Sequence, residues 1–429
     1  MLVVPTAGYR AEAFIDAAAA VGADVVIATE ETPPLAAGME DRLVVVDFDA
    51  PEASAVGIAA LADRVRVDAV VGVDDRGVLI AAHAGELIGL AHNPPDAVAA
   101  TRNKIDMRAV FASWSIPQPA FRVARVGDDV AALASEVGLP CVVKPVSLSA
   151  STGVIRADSA SHAVVVAERV SRILAAHDRP ADEPLMVERF IPGDEVSVEG
   201  LLRDGELEAL ALFDKPDPLD GPYFEETIYV TPSRMSEARR RAVLDATAAG
   251  CMALGLRHGP VHAEVRVADD GPDGAPQVWV LEIAARSIGG LCSRALRFGA
   301  GISLEDVIVG HALGLGADGD DAPARLRTDA ASGVMMLPIS RSGILVDVTG
   351  IDDAREVAGV VGVEITAVRG RMIEALPEGG RYLGFVFARG DSPEQVESSL
   401  REAHAALDVR IEEVGTSDAE VVAAGRAHS

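Results

Sequence analysis

A chain of 429 residues, 49% hydrophobic and 24% charged, has the balance of a folded globular protein with two to four domains. Its formal net charge of −28 favours solubility and argues against a nucleic-acid backbone or an anionic membrane as partner. Cys141, Cys251 and Cys292 lie far apart and outside any CxxC or Cys/His pattern, which disfavours a disulfide framework or a zinc site and suits a reducing cytoplasm.

The opening MLVVPTAGYR lacks the basic-then-apolar order of a signal peptide, and later apolar runs are broken by charge. A cytoplasmic protein without a membrane span is therefore expected. MLVVPT and ADVVIAT read as short buried strands, with AEAFIDAAAAVG between them a helix closed by Gly22. RLVVVDF and VDAVVGV repeat the strand signal, and VLIAAHAGELIGL is a further helix. Alternation of this kind implies a parallel, doubly wound sheet. HNPPDA is a breaker and an expected boundary. PCVVKPVSLSASTGVIRA then reads as strand, Ser/Gly loop and strand. PLMVERFIPGDEVSVEGLLRDGELEALALFDK follows as strand, turn and antiparallel strands around an Asp-Gly hairpin signal. SEARRRAVLDATAAGCMALGL is an amphipathic helix, and PVHAEVRVADDGPDGAPQVWVLEIAA a second hairpin. LGADGDDAPARL is a polar linker, after which ILVDVTG, VEITAVRG and LGFVFARG strands mix with a helix at SPEQVESSLREAHAAL, an α+β pattern.

Four stretches carry chemistry. In VVKPVSLSASTGV, Lys144 ends a strand before small residues including Ser149, Ser151 and Gly153. Small residues let backbone N–H groups approach an anion, and a lysine at the root offsets phosphate charge, although a plain turn reads the same way and no GxxxxGK[ST] loop is present. LMVERFIPGDEVSVEG carries Glu188, Phe190 and Glu195, a pattern also open to a surface hairpin. ATRNKIDMR places Lys104 at the mouth of a helix, alone only a solvated charge. Glu264 (VHAEVRV) and Glu282 (WVLEIAAR) sit inside apolar strand patterns on strands that a hairpin would pair. Two carboxylates about 4 Å apart repel by roughly 4 kcal/mol at an effective dielectric near 20, so such a pair implies a cation unless the two simply face solvent. Oxygen ligands without His or Cys suit Mg²⁺. His262 stands beside Glu264 as a candidate for proton work, but as a strand residue it is expected to face the opposite way.

Taken in order, Lys104, Lys144 with its Ser/Gly loop, Glu188 to Glu195, Glu264, and Glu282 with Arg286 resemble the ATP-grasp superfamily of carboxylate–amine ligases, over nearly the whole chain. MMLPISRSGILVDVTG and RYLGFVFARGDSPEQVE resemble the C-terminal domain of the L-amino-acid ligases, which make dipeptides. The resemblance implies a mixed α/β and α+β architecture. A Rossmann-like domain is expected over residues 1–95 and a small ATP-grasp subdomain with the phosphate loop over 96–185. A large subdomain with the Mg²⁺ site is expected over 186–325, and the C-terminal α+β domain over 326–429. It further implies ATP with Mg²⁺ (Mn²⁺ can substitute), phosphates held by Lys104 and Lys144 under the Ser149–Gly153 loop, adenine beside Glu188 and Phe190, and ribose at Glu195. Glu264 and Glu282 are then the metal ligands, and Arg286, with Lys144, the catalytic cation on the transferred phosphoryl group. FDKPDPLDGPYFEETIYVTPS resembles a segment near the amino-acid pocket, which makes Lys215 and Glu226 secondary substrate candidates, with His262 and the Gly289–Gly290 pair. That glycine pair equally suits a strand-to-helix turn.

The implied activity is amide or peptide bond formation between small carboxylate and amine substrates, amino acids first, through an acyl phosphate, releasing ADP and phosphate. A homodimer is compatible with this. One departure stands out: the superfamily's Glu-x-Asn-x-Arg is here Glu282-Ile283-Ala284-Ala285-Arg286. The missing amide puts a second Mg²⁺ in doubt and leaves open a nucleotide-binding regulator without turnover. A ligase for a purine or specialised-metabolite intermediate is the other alternative.

Overall fold

The structure, a computed structural model, describes residues 1–6, 10–31, 42–269, 271, 274–298, 301–315 and 330–413. The expected polar linker near residue 320 falls outside them. No helix among the described residues is long and apolar enough to cross a membrane. The chain forms two compact units that interleave in sequence. The first comprises Met1–Phe121, Ile191–Lys215 and Thr231–Ala330; the second comprises Arg122–Phe190, Pro216–Val230 and Ala331–Ser429.

In the first unit, a parallel sheet runs in the order Leu43–Val45, Ile27–Thr29, Leu2–Val3, Val71–Gly72. The helices Ala11–Ala20, Pro51–Ala62 and Gly77–Ile88 alternate with these strands, as the sequence pattern predicts. A Cβ on Gly77 would stand 2.5 Å from the Val3 carbonyl oxygen, so only glycine lets this helix start against the sheet. The prolines of HNPPDA open a new helix, Pro95–Arg102, at the position where a fixed φ and a missing N–H cost least. Asn103 then caps the next helix, Lys104–Ser113, accepting from the Ile105 N–H at 3.0 Å.

The same unit holds an antiparallel sheet ordered Gln277–Ala284, Gly259–Ala268, Asp194–Arg203, Glu206–Asp214. The Asp-Gly signal forms the expected two-residue hairpin, with Asp204 and Gly205 at φ 52° and 94°, the positive values such turns require. Alternate residues of its strands (Val196, Val198, Leu202, Val261, Ala263, Val265, Val267) pack beneath the helix Glu237–Leu254. Burying each valine or leucine there contributes about 1.5–3 kcal/mol. Their neighbours in sequence therefore share the other face.

The second unit contains a sheet ordered Phe121–Ala124, Leu185–Arg189, Cys141–Pro145, Ile155–Ala157, covered by Val130–Val137 and Ala160–Ala176. Its C-terminal part pairs Ala331–Leu337, Gly384–Gly390 and Val360–Ile365 in antiparallel order, with Pro393–Ala406 packed on them. A three-stranded sheet runs Met372–Ile373, Gly343–Thr349, Asp408–Glu412. The expected mixture of α/β and α+β layers is what the chain forms.

His311, on the first unit's helix Leu304–Ala312, supplies a pH-dependent element of stability. Burial and the Arg203 guanidinium, whose Nη1 lies 2.9 Å from Nδ1, push the ring down to about 4 from 6.5, and the Gly259 N–H donates to Nε2. A charged ring would turn its own N–H groups against these two donors. Between pH 6.5 and 4 the unfolded chain binds a proton that the folded chain does not, so stability falls as pH drops through that window. Urea midpoints at pH 7.5 and pH 5 should show a smaller acid loss for His311→Asn than for the unsubstituted chain; equal losses would remove His311 from the account.

Candidate functional site

The first unit's antiparallel sheet carries its charges on one face. Side chains two apart on a strand point the same way. Glu195, Ser197 and Glu199 therefore face alike, as do His262, Glu264 and Arg266, and the register pairs Arg266 with Glu195, Glu264 with Ser197, and His262 with Glu199. Arg266 Nε donates to Glu195 Oε2 at 3.0 Å, and Lys215 Nζ to Glu195 Oε1 at 2.8 Å and to Glu264 Oε1 at 3.3 Å. The Lys215 side chain is only 3% exposed, so its ammonium is held between two carboxylates and not left in solvent.

Glu264 and Glu282 are direct cross-strand partners, as their apolar flanks predict. That pairing depends on a register shift. Val265 pairs with Val280 while Glu264 pairs with Glu282, so Leu281 is an extra residue on its strand. In unshifted pairing, Glu264 would face Leu281. Arg108, 1% exposed, holds the shift in place: its Nη2 donates to the Leu281 carbonyl at 2.7 Å and its Nη1 reaches the Val280 carbonyl at 3.5 Å. The helix that supplies Arg108 also supplies Lys104, whose Nζ is 3.8 Å from Glu282 Oε2. A lysine in a first turn works against the helix dipole by about 0.3–1 kcal/mol, which a facing carboxylate or phosphate offsets.

His262 does not face away from Glu264. Its Nε2 lies 3.5 Å from Glu264 Oε1, because residues 262 and 264 are two apart and share a face; the opposite expectation misapplied the strand period. Its Nδ1 is 2.5 Å from Glu199 Oε1, and Glu199 Oε2 accepts the Ile288 N–H at 2.9 Å. Burial opposes a charged ring, but the Glu199 and Glu264 carboxylates outweigh it and raise His262 to about 9. The ring is an imidazolium at neutral pH.

Arg286 meets Asp75, which follows the Val71–Gly72 strand of the parallel sheet, at 2.9 Å from Nε. Burial again opposes the charge, and Asp75, Glu282 and Glu199 push its pKa further up. Arg10, 7% exposed, ties down the next two residues, donating to Ser287 Oγ at 2.8 Å and to the Ile288 carbonyl at 2.9 Å. Gly289 and Gly290 follow, half-buried, with Gly290 at φ 61°. Ala284, 4% exposed and paired with His262, presents no oxygen where the superfamily has an amide.

In the second unit, Lys144 and Glu188 lie on adjacent antiparallel strands, where Glu188 pairs with Val142 and so stands diagonal to Lys144. Nζ and Oε2 are 2.6 Å apart and both side chains are largely buried. Phe190 lies under the Arg156 guanidinium at 4.6 Å and tilts against Phe224. The loop after Lys144 turns twice: Thr152 N–H donates to Ser149 O and Val154 N–H to Ser151 O, with Ala150, Ser151 and Gly153 at φ 52°, 56° and 71°. Glu226 lies half-buried before the Ile228–Thr231 strand.

Lys104, Lys215, Glu195, His262, Glu264, Glu282 and Arg286 thus gather in the first unit, and Lys144, Glu188, Phe190 and the Ser149–Gly153 loop in the second. Sequence reasoning missed Glu199 and Arg266, although EVSVE and HAEVR show charges at period two inside apolar strands. Arg108, Asp75 and Arg10 left no such signal.

Two domain families match the chain. Residues 137–295 match the ATP-grasp domain family, and residues 335–412 match L-amino acid ligase C-terminal domain 2. The chain thus carries an ATP-grasp domain followed by an L-amino-acid-ligase-type C-terminal domain. It is 27% identical over 238 residues to an alanine–anticapsin ligase of Bacillus amyloliquefaciens, covering 52% of this chain and 50% of that protein. It is 30% identical over 191 residues to a D-alanine–D-alanine ligase of Pseudomonas fluorescens, covering 44% of this chain and 54% of the other. The chain spans about half the length of these curated relatives. Its fold matches the crystal structure of an L-amino acid ligase from Bacillus licheniformis with a TM-score of 0.76, at 24% identity, over 96% of this chain and 98% of that one.

Replacing Arg108 by Met should leave the Leu281 and Val280 carbonyls without their donor and cost about 2–4 kcal/mol of stability. Urea denaturation measures this, and a loss below about 0.5 kcal/mol, the scale of an ordinary surface change, would show that the register shift holds without Arg108.

Proposed function

We propose that this chain is an ATP-dependent carboxylate–amine ligase that joins amino acids, phosphorylating the carboxylate of one substrate before the amine of the other displaces phosphate. The observation that carries the reading is the cross-strand pair Glu264–Glu282, brought into register by an extra residue and faced by lysines. The two matched domains and the relatives named above support it.

The donor set fits Mg²⁺. Glu264 and Glu282 offer carboxylate oxygens to a hard cation, both side chains retain some exposure (24% and 35%), and the nearest imidazole nitrogen faces Glu264 as a donor. Bound there, the ion would neutralise charge on the ATP phosphates. Lys104 and Lys144 are assigned to those phosphates, Glu188 and Phe190 to the adenine side, and Glu195 to the ribose. Arg286 is assigned to the transferred group. Its planar fork can meet carboxylate and phosphoryl oxygens together, a task lysine performs poorly. Phosphoryl transfer rests mainly on positioning and charge stabilisation, so no side-chain nucleophile is required. A free carboxylate resists attack because its charge is shared; phosphorylation removes that charge and supplies the leaving group. The resulting acyl phosphate must be kept from water until the amine arrives.

Ala284 favours one second reading, a nucleotide-binding regulator without turnover. Product analysis separates the two. With an amino-acid panel, ATP and Mg²⁺, the ligase should release ADP and phosphate; with hydroxylamine replacing the amine, the correct acid should yield a hydroxamate. AMP as sole nucleotide product contradicts acyl-phosphate chemistry, and ATP binding without ADP or hydroxamate from any acid supports the regulator. Arg286→Lys should lose most of the hydroxamate while still binding ATP.

The metal assignment has its own test. Glu282→Gln keeps the shape and removes the charge, so turnover at low Mg²⁺ should fall by about two orders of magnitude or more, the scale of losing a positioned electrostatic group. Near-normal turnover would make the carboxylate pair structural. Ala284→Asn, which restores an oxygen ligand, should lower the Mg²⁺ concentration giving half-maximal rate.

A further inference from the structure

The double turn at Ser149–Gly153 holds non-glycine residues Ala150 and Ser151 in the left-handed region, at φ 52° and 56°. Such residues cost of order 1–3 kcal/mol each and persist where their surroundings over-determine them. Here the surroundings come from far along the chain. The Gly153 N–H donates to the Pro377 carbonyl at 2.8 Å, and Thr152 Oγ1 donates to the Gly379 carbonyl at 3.2 Å. Thr152 is 5% exposed. A Cβ on Gly380 would stand 2.2 Å from Thr152 Oγ1, so the two segments are in closest contact at a position without a side chain.

The distant segment is itself anchored. Its turn closes by the Gly379 N–H to the Ala375 carbonyl at 3.0 Å, and it continues the Met372–Ile373 strand of the C-terminal sheet. Glu378 accepts from Arg169 Nε and Nη2 at 2.8 and 2.7 Å, while His177 Nε2 lies 3.0 Å from the Glu378 carbonyl. Arg169 and His177 belong to the helix that backs the loop's own sheet and to its cap. These contacts all lie within the second unit. They use the Gly153 N–H and the Thr152 hydroxyl, whereas the N–H groups of Ala150 and Ser151 make no hydrogen bond among the described residues.

We propose that the turn at residues 375–380 is a strap that holds the Ser149–Gly153 loop in the conformation that receives phosphate, with Thr152 and Arg169 as positioning residues. The C-terminal region thereby sets nucleotide affinity without itself touching nucleotide. The inference rests on the assignment of this loop to the ATP phosphates. It adds that the loop's shape is imposed by the strap and is not intrinsic to the loop.

The probe is ATP with Mg²⁺, its dissociation constant measured by isothermal titration calorimetry on the full chain. Gly380→Ala should push Thr152 away and weaken binding by about fivefold to thirtyfold, the range of one to two kcal/mol. Thr152→Ala removes the obstructing hydroxyl, so Thr152→Ala/Gly380→Ala should bind like Thr152→Ala alone, a rescue that general destabilisation would not produce. Arg169→Gln, a half-buried position away from the loop, should weaken binding about fivefold at unchanged melting temperature. Affinities like that of the unsubstituted chain in both Gly380→Ala and Arg169→Gln overturn the strap alone. Absence of binding by the unsubstituted chain overturns the ATP assignment, and the strap with it.

Discussion

The candidate site depends on one departure from regular strand pairing, the extra residue at Leu281. Ordinary pairing would set an apolar side chain opposite Glu264. The shift brings a second carboxylate there instead, and Arg108 meets the displaced carbonyls from the helix that also carries Lys104. One helix therefore stabilises the irregular backbone and offsets part of the charge that the irregularity brings together. A buried arginine is costly unless its donors find acceptors, and carbonyls turned out of a sheet ladder need donors. Each defect relieves the other.

Around that point the sheet tolerates a dense charged face because the charges alternate. Glu195 is shared by Arg266 and Lys215, Lys215 reaches Glu264, and Glu199 holds His262 and the Ile288 N–H. Charges this deep are stabilising only when paired and hydrogen-bonded. The chain of contacts runs from residue 266 to the loop after Arg286, and the parallel sheet closes it through Asp75 and Arg10. Arg286 is thereby oriented by residues from the far N-terminal part of the chain, Asp75 and Arg10, before any substrate is considered.

The second unit solves a different problem. A loop proposed to accept an anion through its backbone must expose N–H groups, and exposed N–H groups belong to conformations the chain does not favour by itself. Here strained residues lie next to two buried contacts from another segment, so the cost is met by tertiary contacts. The Lys144–Glu188 pair beneath follows from simple strand geometry, since residues diagonal across antiparallel strands fall within reach.

Much of this was legible in the sequence because it is local. Strand and helix signals, the Asp-Gly hairpin, the helix stop at Gly22 and the cross-strand placement of Glu264 and Glu282 each follow from periodicity or turn chemistry within a few tens of residues. The charge alternation of EVSVE and HAEVR was legible too, and the facing of His262 should have been, since strand parity alone decides it. What tertiary structure decided lies beyond any local window. A single lysine or aspartate has no sequence mark of its partner, so only packing shows Lys215 between Glu195 and Glu264, or Asp75 on Arg286. The extra residue at Leu281 interrupts the two-residue period, since the core positions Val278, Val280 and Ile283 lie two and then three apart, but inside a continuous apolar run that interruption carries no mark. It becomes visible only when Arg108 is found on the carbonyls it displaces.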